Sequence, residues 1–182
     1  WDQQVNMPRA GDTGRANQIS LFSKMGHELC VSEKMGELLN NLEPDALGLD
    51  QDSDDACLIR QFSKKYHKQK LVPSEFVEEL SGVTARAHNE WEKAREESDF
   101  SMFRPTLQKI FDLKREYANF FAPYDHIYDP LLDDFEPGLK TAEVTKVFAE
   151  LREKQVDLIH RISQKPQQDD SCLHQTYDDK LQ

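Results

Sequence analysis

The chain has 182 residues, and its 34 acidic side chains outnumber the 23 basic ones, giving a formal net charge of −11. This excess disfavours nucleic acid and anionic membranes as partners, because both are bound through basic surfaces. No apolar run approaches the ~18 residues that cross a bilayer, and polar residues rather than a secretory signal peptide follow Trp1. An initial Trp in place of Met indicates that other residues precede it in the gene.

The cysteines indicate the compartment. Cys30, Cys57 and Cys172 are odd in number and far apart in the sequence. This is typical of free thiols in a reducing compartment, and it fits neither a disulfide framework nor a Cys-x-x-Cys zinc clip. We therefore expect a cytoplasmic protein.

The first helix is predicted to follow an irregular start. Residues 1–11 are expected to be extended or irregular, because Pro8 restricts the residue before it and Gly11 interrupts any period. Asp12 or Thr13 can cap a helix that ends near Cys30. The inward stripe of this helix is predicted at apolar positions separated by three, three and four residues, namely Ile19, Phe22, Met25 and Leu29.

Two further helices are predicted on either side of an acidic loop. Ser32 is a suitable cap for a short helix, and residues 43–55 are predicted to form the loop. Aspartates at its end can cap a third helix from about Asp54 to Lys70 and complement its dipole. The side chains expected to face inward are Met35, Leu38, Leu39 and Leu42 in the second helix, and Leu58, Ile59, Phe62 and Tyr66 in the third.

The next two helices are long. Pro73 opens the fourth helix at a position where its missing N–H costs nothing. Asp99 or Ser101 begins the fifth, which ends near Phe120 and Phe121. Helical spacing places the following residues inward: Phe76, Leu80, Ala87, Trp91 and Ala94 in the fourth helix, and Leu107, Ile110, Lys114 and Tyr117 in the fifth.

The last part of the chain alternates between poor and strong helical signals. Residues 122–140 hold three prolines and a glycine and are the least helical. Thr141 can cap a sixth helix, and after Pro166 the chain is polar without periodicity. No strand pattern occurs, so the sequence predicts an all-α fold of about six mostly long amphipathic helices. The apolar positions of the sixth helix are Val144, Phe148, Leu151, Leu158, Ile159 and Ile162.

One motif suggests a metal site. Residues 26–36 read GHELCVSEKMG, and the zinc-peptidase signature H-E-x-x-H also begins with His-Glu. That signature needs a second histidine four residues after the first, where this chain has Val31. Cys30 could add a thiolate beside His27, but no third ligand is nearby, and a catalytic zinc takes three. We interpret these residues as a helix C-terminus, with His27 near the negative end of the dipole, Glu28 solvated and Cys30 packed inward.

A second cluster of possible ligands lies in the proline-rich segment. Carboxylates and a histidine together could hold a metal ion, but their spacing does not match an EF-hand. Acidic, proline-rich loops are more often connectors and helix caps, which is the interpretation we favour. The cluster comprises Asp125, His126, Asp129, Asp133, Asp134 and Glu136.

The remaining motifs carry no chemistry. His88 and Glu92 are four apart and are expected to be ordinary neighbours on a helix surface. His88-x-Glu90 also opens a zinc-deaminase signature, but the P-C-x-x-C that completes it is absent. The sequence has no G-x-S-x-G elbow and no glycine-rich phosphate loop. The residues alone therefore predict an acidic helical chain without a self-contained catalytic site.

Several longer stretches resemble one known family. WDQQVNMPRAG is similar to the segment near the start of the carboxypeptidase Taq family of metal-dependent carboxypeptidases. RANQISLFSKMGHEL, VPSEFVEEL and AHNEWEKAREESDFSMFRPTLQKIFDLKREYA follow in the family's order and spacing. LLDDFEPG, followed by T-x-E-V and F-x-E-L-R, is the specific part. The resemblance covers nearly the whole chain.

This resemblance implies a part of a longer enzyme. The family's enzymes are mostly helical, bind zinc or another divalent metal, remove single residues from peptide C-termini and usually form homodimers. Their H-E-x-x-H and its downstream Glu ligand lie beyond the stretch matched here, so no catalytic, cofactor-binding or metal-binding residue can be assigned. We expect residues 1–182 to be a single helical region, the N-terminal part of such an enzyme, without cofactor or activity of its own.

The partners follow from the same resemblance. They are the missing C-terminal catalytic half, a peptide substrate in the full enzyme and a second copy in a homodimer. The alternative is a non-catalytic helical interaction module derived from that region. In either case an apolar face is expected to lack its partner and to drive self-association. The residues expected on it are Leu131, Leu132, Phe148, Leu151, Ile159 and Ile162.

Overall fold

The structure is a computed structural model of the chain, and it describes residue 6, residues 8–166, residues 168–176 and residue 178. These residues form seven α-helices, two short 3-10 turns and no β-strand, which confirms the all-α prediction. The prediction for residues 1–5 and residue 7 lies outside the described residues. A 3-10 turn at Arg9–Gly11 leads into the first helix.

The six predicted helices are present, and a short seventh lies in the segment predicted to be least helical. It begins at Asp129, and Pro130 occupies its first turn, where a missing N–H is tolerated. Five residues are too few for a periodic pattern to reveal. In chain order the helices are α1 Asp12–Cys30, α2 Glu33–Ala46, α3 Asp54–Gln69, α4 Ser74–Glu96, α5 Phe100–Asn119, α6 Asp129–Asp133 and α7 Thr141–Ser163.

The helix ends agree with the predicted caps in part. Ser32 and Asp99 accept hydrogen bonds from the backbone N–H groups of Met35 and Ser101, as a side-chain cap does. The other predicted starts are displaced by one residue. The N-cap positions of α1, α4 and α7 are occupied by Gly11, Pro73 and Lys140.

The predicted acidic loop is too long. Helix α2 continues through Pro44 to Ala46, so residues 43–46 are helical. The cap of α3 is Ser53 rather than an aspartate, and its hydroxyl oxygen accepts from the Ala56 N–H at 3.3 Å. Two aspartates instead occupy the first turn of α3, where their charge complements the helix dipole.

The contacts divide the chain into two compact units, Trp1–Leu131 and Leu132–Gln182. In the first unit α1 packs along α4, α4 also packs on α5, and α2 pairs with α3. The apolar core lies where the start of α4 meets the end of α5. There Val72, Phe76 and Leu113 are buried together, and the Phe76 ring meets the Phe120 ring edge-on at 5.0 Å between centroids.

Helix α1 packs through its small and polar side, which the sequence did not predict. Ala16 and His27 are its buried residues, and Gly82 of α4 allows the close approach, because an added Cβ would lie 3.3 Å from Ser20 Oγ. The apolar stripe predicted to face inward is therefore wrong for Phe22, Met25 and Leu29. These three side chains are 67%, 47% and 70% exposed.

The same error recurs elsewhere in the first unit. Leu38, Leu58, Phe62 and Trp91 were expected to face inward and are exposed. Tyr66 and Leu39, in the same helices as three of these, are buried as predicted. Apolar periodicity thus located the helices correctly, but the covered face of each helix is set by which neighbour it meets.

The second unit contains α7 and a 3-10 turn at Ser171–His174. No residue of α7 is buried, although its apolar positions follow the helical period as predicted. Glu143 lies in the first turn, and its carboxylate accepts from the Lys140 N–H at 3.5 Å. The helix therefore presents an exposed apolar face. Leu131 and Leu132, which were also expected to lack a partner, are instead half-buried.

Candidate functional site

In the His-Glu pair, both ring nitrogens of His27 are hydrogen-bonded within the protein. His27 is 8% exposed, and its Nε2 lies 3.1 Å from the backbone oxygen of Gln69. Because a carbonyl oxygen only accepts, Nε2 carries the proton in the neutral ring. Nδ1, at 3.2 Å, then accepts from the Ser74 hydroxyl. Both ring nitrogens are thus hydrogen-bonded to protein groups, which join the end of α1 to the end of α3 and to the start of α4.

The neighbours of His27 are less buried than its ring. Glu28 is exposed and Cys30 is half-buried. Cys30 and Cys57 are free thiols. The side chains beside His27 therefore agree with the interpretation of this motif as a helix C-terminus.

A polar row holds α1 against α4, and sequence reasoning missed it. The Ser20 hydroxyl donates to the backbone oxygen of Glu78 at 2.7 Å, and Lys24 Nζ lies 2.8 Å from the Glu78 carboxylate. The hydrogen bond to Glu78 raises the pKa of Lys24 above its ordinary value. With His27 these residues form a row at spacings of four and three. Helical spacing of these polar residues could have indicated the row, but the predicted inward stripe of α1 was drawn from apolar residues alone.

Two carboxylates of the acidic cluster accept hydrogen bonds from backbone N–H groups close to them in the sequence. Asp129 is buried and accepts from the His126 N–H at 3.3 Å. His126 Nδ1 in turn accepts from the Tyr128 N–H at 3.1 Å. Asp133 accepts from the N–H of Gly138, whose φ of 86° favours glycine. These groups shape the turns between α5 and α7.

No metal-binding arrangement occurs in the part of the chain that the structure describes, where no three His, Cys, Asp or Glu side chains are grouped to hold an ion. His88 and Glu92 lie 3.6 Å apart as helix neighbours. The Trp91 ring lies beside the His88 ring. The Arg95 guanidinium lies over the Trp91 ring, 5.5 Å from its centroid. This exposed cluster is the i, i+4 surface pairing that the sequence predicted for His88.

The features that stand out are two exposed apolar faces. The α1 face lies opposite the polar row and consists of Leu21, Phe22, Met25 and Leu29. The α7 face lies in the second unit and consists of Val147, Phe148, Leu151, Leu158, Ile159 and Ile162. Large contiguous exposed apolar patches mark surfaces that bind proteins, membranes or ligands, or that promote aggregation.

The family model of the carboxypeptidase Taq (M32) metallopeptidases matches residues 1–182. The chain therefore belongs to this family, and the resemblance seen in the sequence is confirmed. Membership of a metallopeptidase family implies a divalent metal ion in the full enzyme. The 182 residues contain no H-E-x-x-H.

Among curated proteins, thermostable carboxypeptidase 1 of Thermus thermophilus is 33% identical over 97% of this chain and 37% of the relative. The Pyrococcus furiosus protein of the same name is 34% identical over 89% of the chain and 32% of the relative. Carboxypeptidase 1 of Bacillus subtilis is 29% identical over 90% and 32%. The chain thus spans about a third of the length of the relatives it matches.

Solved structures give the same result. The BsuCP crystal structure matches with a TM-score of 0.84 at 29% identity, over 90% of this chain and 33% of the other. A Pyrococcus furiosus carboxypeptidase gives 0.70 at 32% identity, over 90% and 32%. Trypanosoma cruzi metallocarboxypeptidase 1 gives 0.71 at 26% identity, over 98% and 35%. None of the helices in the described part of the chain combines the length and apolar character needed to cross a bilayer.

Proposed function

We propose that residues 1–182 form the N-terminal helical region of a metal-dependent carboxypeptidase, which removes residues from the C-termini of peptides. The observation that carries this proposal is the family match over residues 1–182, with relatives of which the chain spans about a third. The metal site and the general base belong to the part of the enzyme outside these residues. The 182-residue chain by itself has no carboxypeptidase activity.

Within the full enzyme this region forms one wall or lid of the peptide groove. The core around Phe76 and Leu113 and the polar row between α1 and α4 support this role, because they make the first unit a firm scaffold. The metal ion of the full enzyme is zinc or another divalent ion. The free thiols of Cys30 and Cys57 support a cytoplasmic location.

The full enzyme is proposed to be a homodimer, and the isolated chain is proposed to self-associate. The exposed α1 face supports this proposal, since a symmetric contact lets one patch cover its copy. The net charge of −11 opposes association, so added salt should strengthen it. Sedimentation at two protein concentrations and two salt concentrations tests this. A compact monomer at high concentration and high salt would contradict it.

A second candidate is a helical interaction module without a catalytic role. The exposed α1 and α7 faces favour it to the extent that they bind protein on their own. The two candidates differ in the gene. An H-E-x-x-H encoded downstream of Gln182 supports the carboxypeptidase, and a stop codon at that point supports the module.

The direct test of the first candidate is a chimera. Residues 1–182 replace the matched third of Bacillus subtilis carboxypeptidase 1, and the release of C-terminal amino acids from a peptide is measured with and without a chelator. We expect chelator-sensitive release by the chimera. The control is the same enzyme with that third deleted, which should be inactive. A folded, metal-loaded chimera no more active than the deletion would contradict the proposal.

A further inference from the structure

One stretch of the first unit is basic although the chain as a whole is acidic. No acidic residue occurs between Asp55 and Glu75. Because the whole chain has a net charge of −11, the rest of it is more acidic than this total suggests. The stretch contains five basic residues and one histidine, namely Arg60, Lys64, Lys65, Lys68, Lys70 and His67. We call the surface formed by Lys64, Lys65, Lys68 and Lys70 the basic end of α3.

The helix dipole explains only part of this charge. Positive side chains stabilise the C-terminus of a helix, but the effect falls off within the last turn. In α3 that turn contains His67 and Lys68. Lys64 and Lys65 precede it, and both are exposed. These two lysines therefore have another role or none.

Lys64 and Lys65 also differ from the lysines of neighbouring helices. Lys24 of α1 and Lys109 of α5 lie 2.8 and 2.6 Å from carboxylates of α4. Neither Lys64 nor Lys65 forms an ion pair with any residue that the structure describes. An acid-rich chain thus neutralises lysines between its helices and leaves these two available to an external anion.

One carboxylate of α2 approaches the same end of α3. Glu43 accepts a hydrogen bond from the Ser63 hydroxyl, and its carboxylate lies 3.9 Å from His67 Nε2. It lowers the local positive charge, but it is paired with these two side chains and not with the exposed lysines.

Aromatic rings position the remaining lysines of this surface. Lys70 Nζ lies 5.5 Å from the centroid of the Tyr66 ring, and Lys68 Nζ lies 5.5 Å from that of Phe121. A cation is attracted to the face of an aromatic ring. The ammonium groups therefore gather beside buried or half-buried rings at the junction of α3 with the end of α5.

This arrangement fits an extended acidic peptide better than other anions. Compact phosphate sites use the planar fork of Arg, whereas the charges here are lysine ammonium groups spread along the helix. From Lys64 to Lys70 the helix rises about 9 Å, which is the length of about three residues of an extended peptide. A long nucleic acid would also meet the acidic remainder of the chain, which repels it.

We propose that the basic end of α3 binds acidic stretches of peptides, upstream of the C-terminal residue that the full enzyme removes. Its role in substrate selection rests on the proposed function, but the binding itself needs only the residues of the first unit. The surface attracts acidic peptides that the net charge of −11 would otherwise repel.

The first test is the fluorescence anisotropy of a fluorescein-labelled hexaglutamate peptide, titrated at low salt with the 182-residue chain. The variant combines Lys64→Ala and Lys65→Ala. The matched control combines Lys146→Ala and Lys154→Ala, which removes the same charge from exposed positions of α7. We expect saturable binding that the variant weakens about 5-fold and the control weakens less than about 1.5-fold.

Three results of this titration would overturn the proposal. The first is the absence of saturable binding. The second is an equal loss in the variant and the control, because the attraction would then follow the net charge and not this surface. The third is tighter binding of a single-stranded oligonucleotide of equal charge, because the surface would then prefer phosphates to carboxylates.

The second test measures peptidase activity of the chimera described above. Two peptides share their C-terminal residues and differ upstream, where one has glutamates and the other has serines. The combined Lys64→Ala and Lys65→Ala variant should raise KM for the acidic peptide about 5-fold and leave kcat unchanged. KM for the serine peptide should not change.

The two tests separate this proposal from the proposed function. Equal changes of KM for the acidic and the serine peptide would overturn the role of the basic end of α3 in substrate selection. A folded, metal-loaded chimera without activity would contradict the proposed function, and the anisotropy titration would still decide the binding, because it does not depend on catalysis.

Discussion

Helices α4 and α7 both have 23 residues and both are amphipathic, yet they differ in how many of their residues are buried. Helix α4 is covered by α1 on one side and by α5 on another, and four of its residues are buried. Helix α7 has none. Amphipathic patterning therefore records where a partner is needed, and only the fold shows whether these 182 residues supply it.

Helix α1 shows the same contrast between two faces of one helix. Its inner side is polar and small, and it is tied to α4 by Ser20, Lys24 and His27. Its outer side carries Phe22 and Leu29, both exposed. A helix that is apolar on its outer side and polar on its packed side is understandable if the outer side also contacts protein in the full enzyme.

The largest expected difference between the two regions comes from removing one apolar side chain in each. Leu113→Ala empties a site that is 1% exposed and should lower the free energy of unfolding by about 2–5 kcal/mol. Phe148→Ala removes a larger side chain from the α7 face and should change it by less than about 0.5 kcal/mol. Urea unfolding of the isolated chain followed by circular dichroism measures both. Similar losses would show that the α7 face is already covered.

A second pair of variants tests how tightly the helices of the first unit approach. A Cβ added at Gly36 would overlap the Tyr66 hydroxyl, so Gly36→Ala should cost about 1–3 kcal/mol of unfolding free energy. Gly26→Ala is the control, since nothing lies within 4 Å of its added Cβ, and it should gain about 0.5–1 kcal/mol from helix propensity. Adding Tyr66→Phe to Gly36→Ala should restore part of the loss. No difference between the two glycines would contradict the close α2–α3 contact.

The polar row is tested by comparing two histidines. His27→Ala leaves the part-buried Gln69 carbonyl without its donor, and we expect a loss of about 1–3 kcal/mol in unfolding free energy. His88→Ala removes an exposed ring whose pairing with Glu92 is 3.6 Å long, so it should cost less than about 0.5 kcal/mol. Denaturant unfolding at pH 7 measures both variants. If His88→Ala costs as much as His27→Ala, the row has no special role.

The smallest expected effect depends on pH. Hydrogen bonds from Ser101 hold the pKa of Asp99, the cap of α5, below its ordinary value of 3.8. A lowered carboxyl pKa stabilises the folded chain above the unfolded pKa, and that contribution is lost as pH falls through the folded pKa. The difference in unfolding midpoint between the wild type and Asp99→Ala should therefore be constant near neutrality and shrink below about pH 4.

The control for that pH dependence is Ser53→Ala. Ser53 caps α3 through a neutral hydroxyl that accepts from the Ala56 N–H, so its contribution should not change with pH. A constant effect of Asp99→Ala down to the lowest pH at which the chain stays folded would show that the carboxylate charge contributes nothing at the cap.

The sequence predicted the six longer helices because caps and apolar periods are local signals. Ser32 and Asp99 cap where predicted, and the family resemblance was confirmed over the whole chain. The buried face of each helix was harder to predict, because it depends on neighbours that are distant in the sequence. Leu113 is the most buried large side chain of α5, yet the predicted stripe passed beside it through Ile110 and Lys114.

The candidate functional site shows the same difference between local features, which the sequence predicts, and long-range contacts, which it does not. The sequence predicted that Val31 leaves the His-Glu pair incomplete, because ligand spacing on a helix is a local property. It could not show that His27 joins α1 to Gln69 and Ser74, which lie more than forty residues away. It also could not show which of its apolar stripes the chain leaves uncovered.

The most direct test of the account is a side-by-side assay of the purified 182-residue chain and the chimera for release of C-terminal amino acids from a peptide, each with and without a chelator. We expect chelator-sensitive release by the chimera and none by the chain, since the 182 residues contain no H-E-x-x-H. Chelator-sensitive release by the 182-residue chain alone would contradict it.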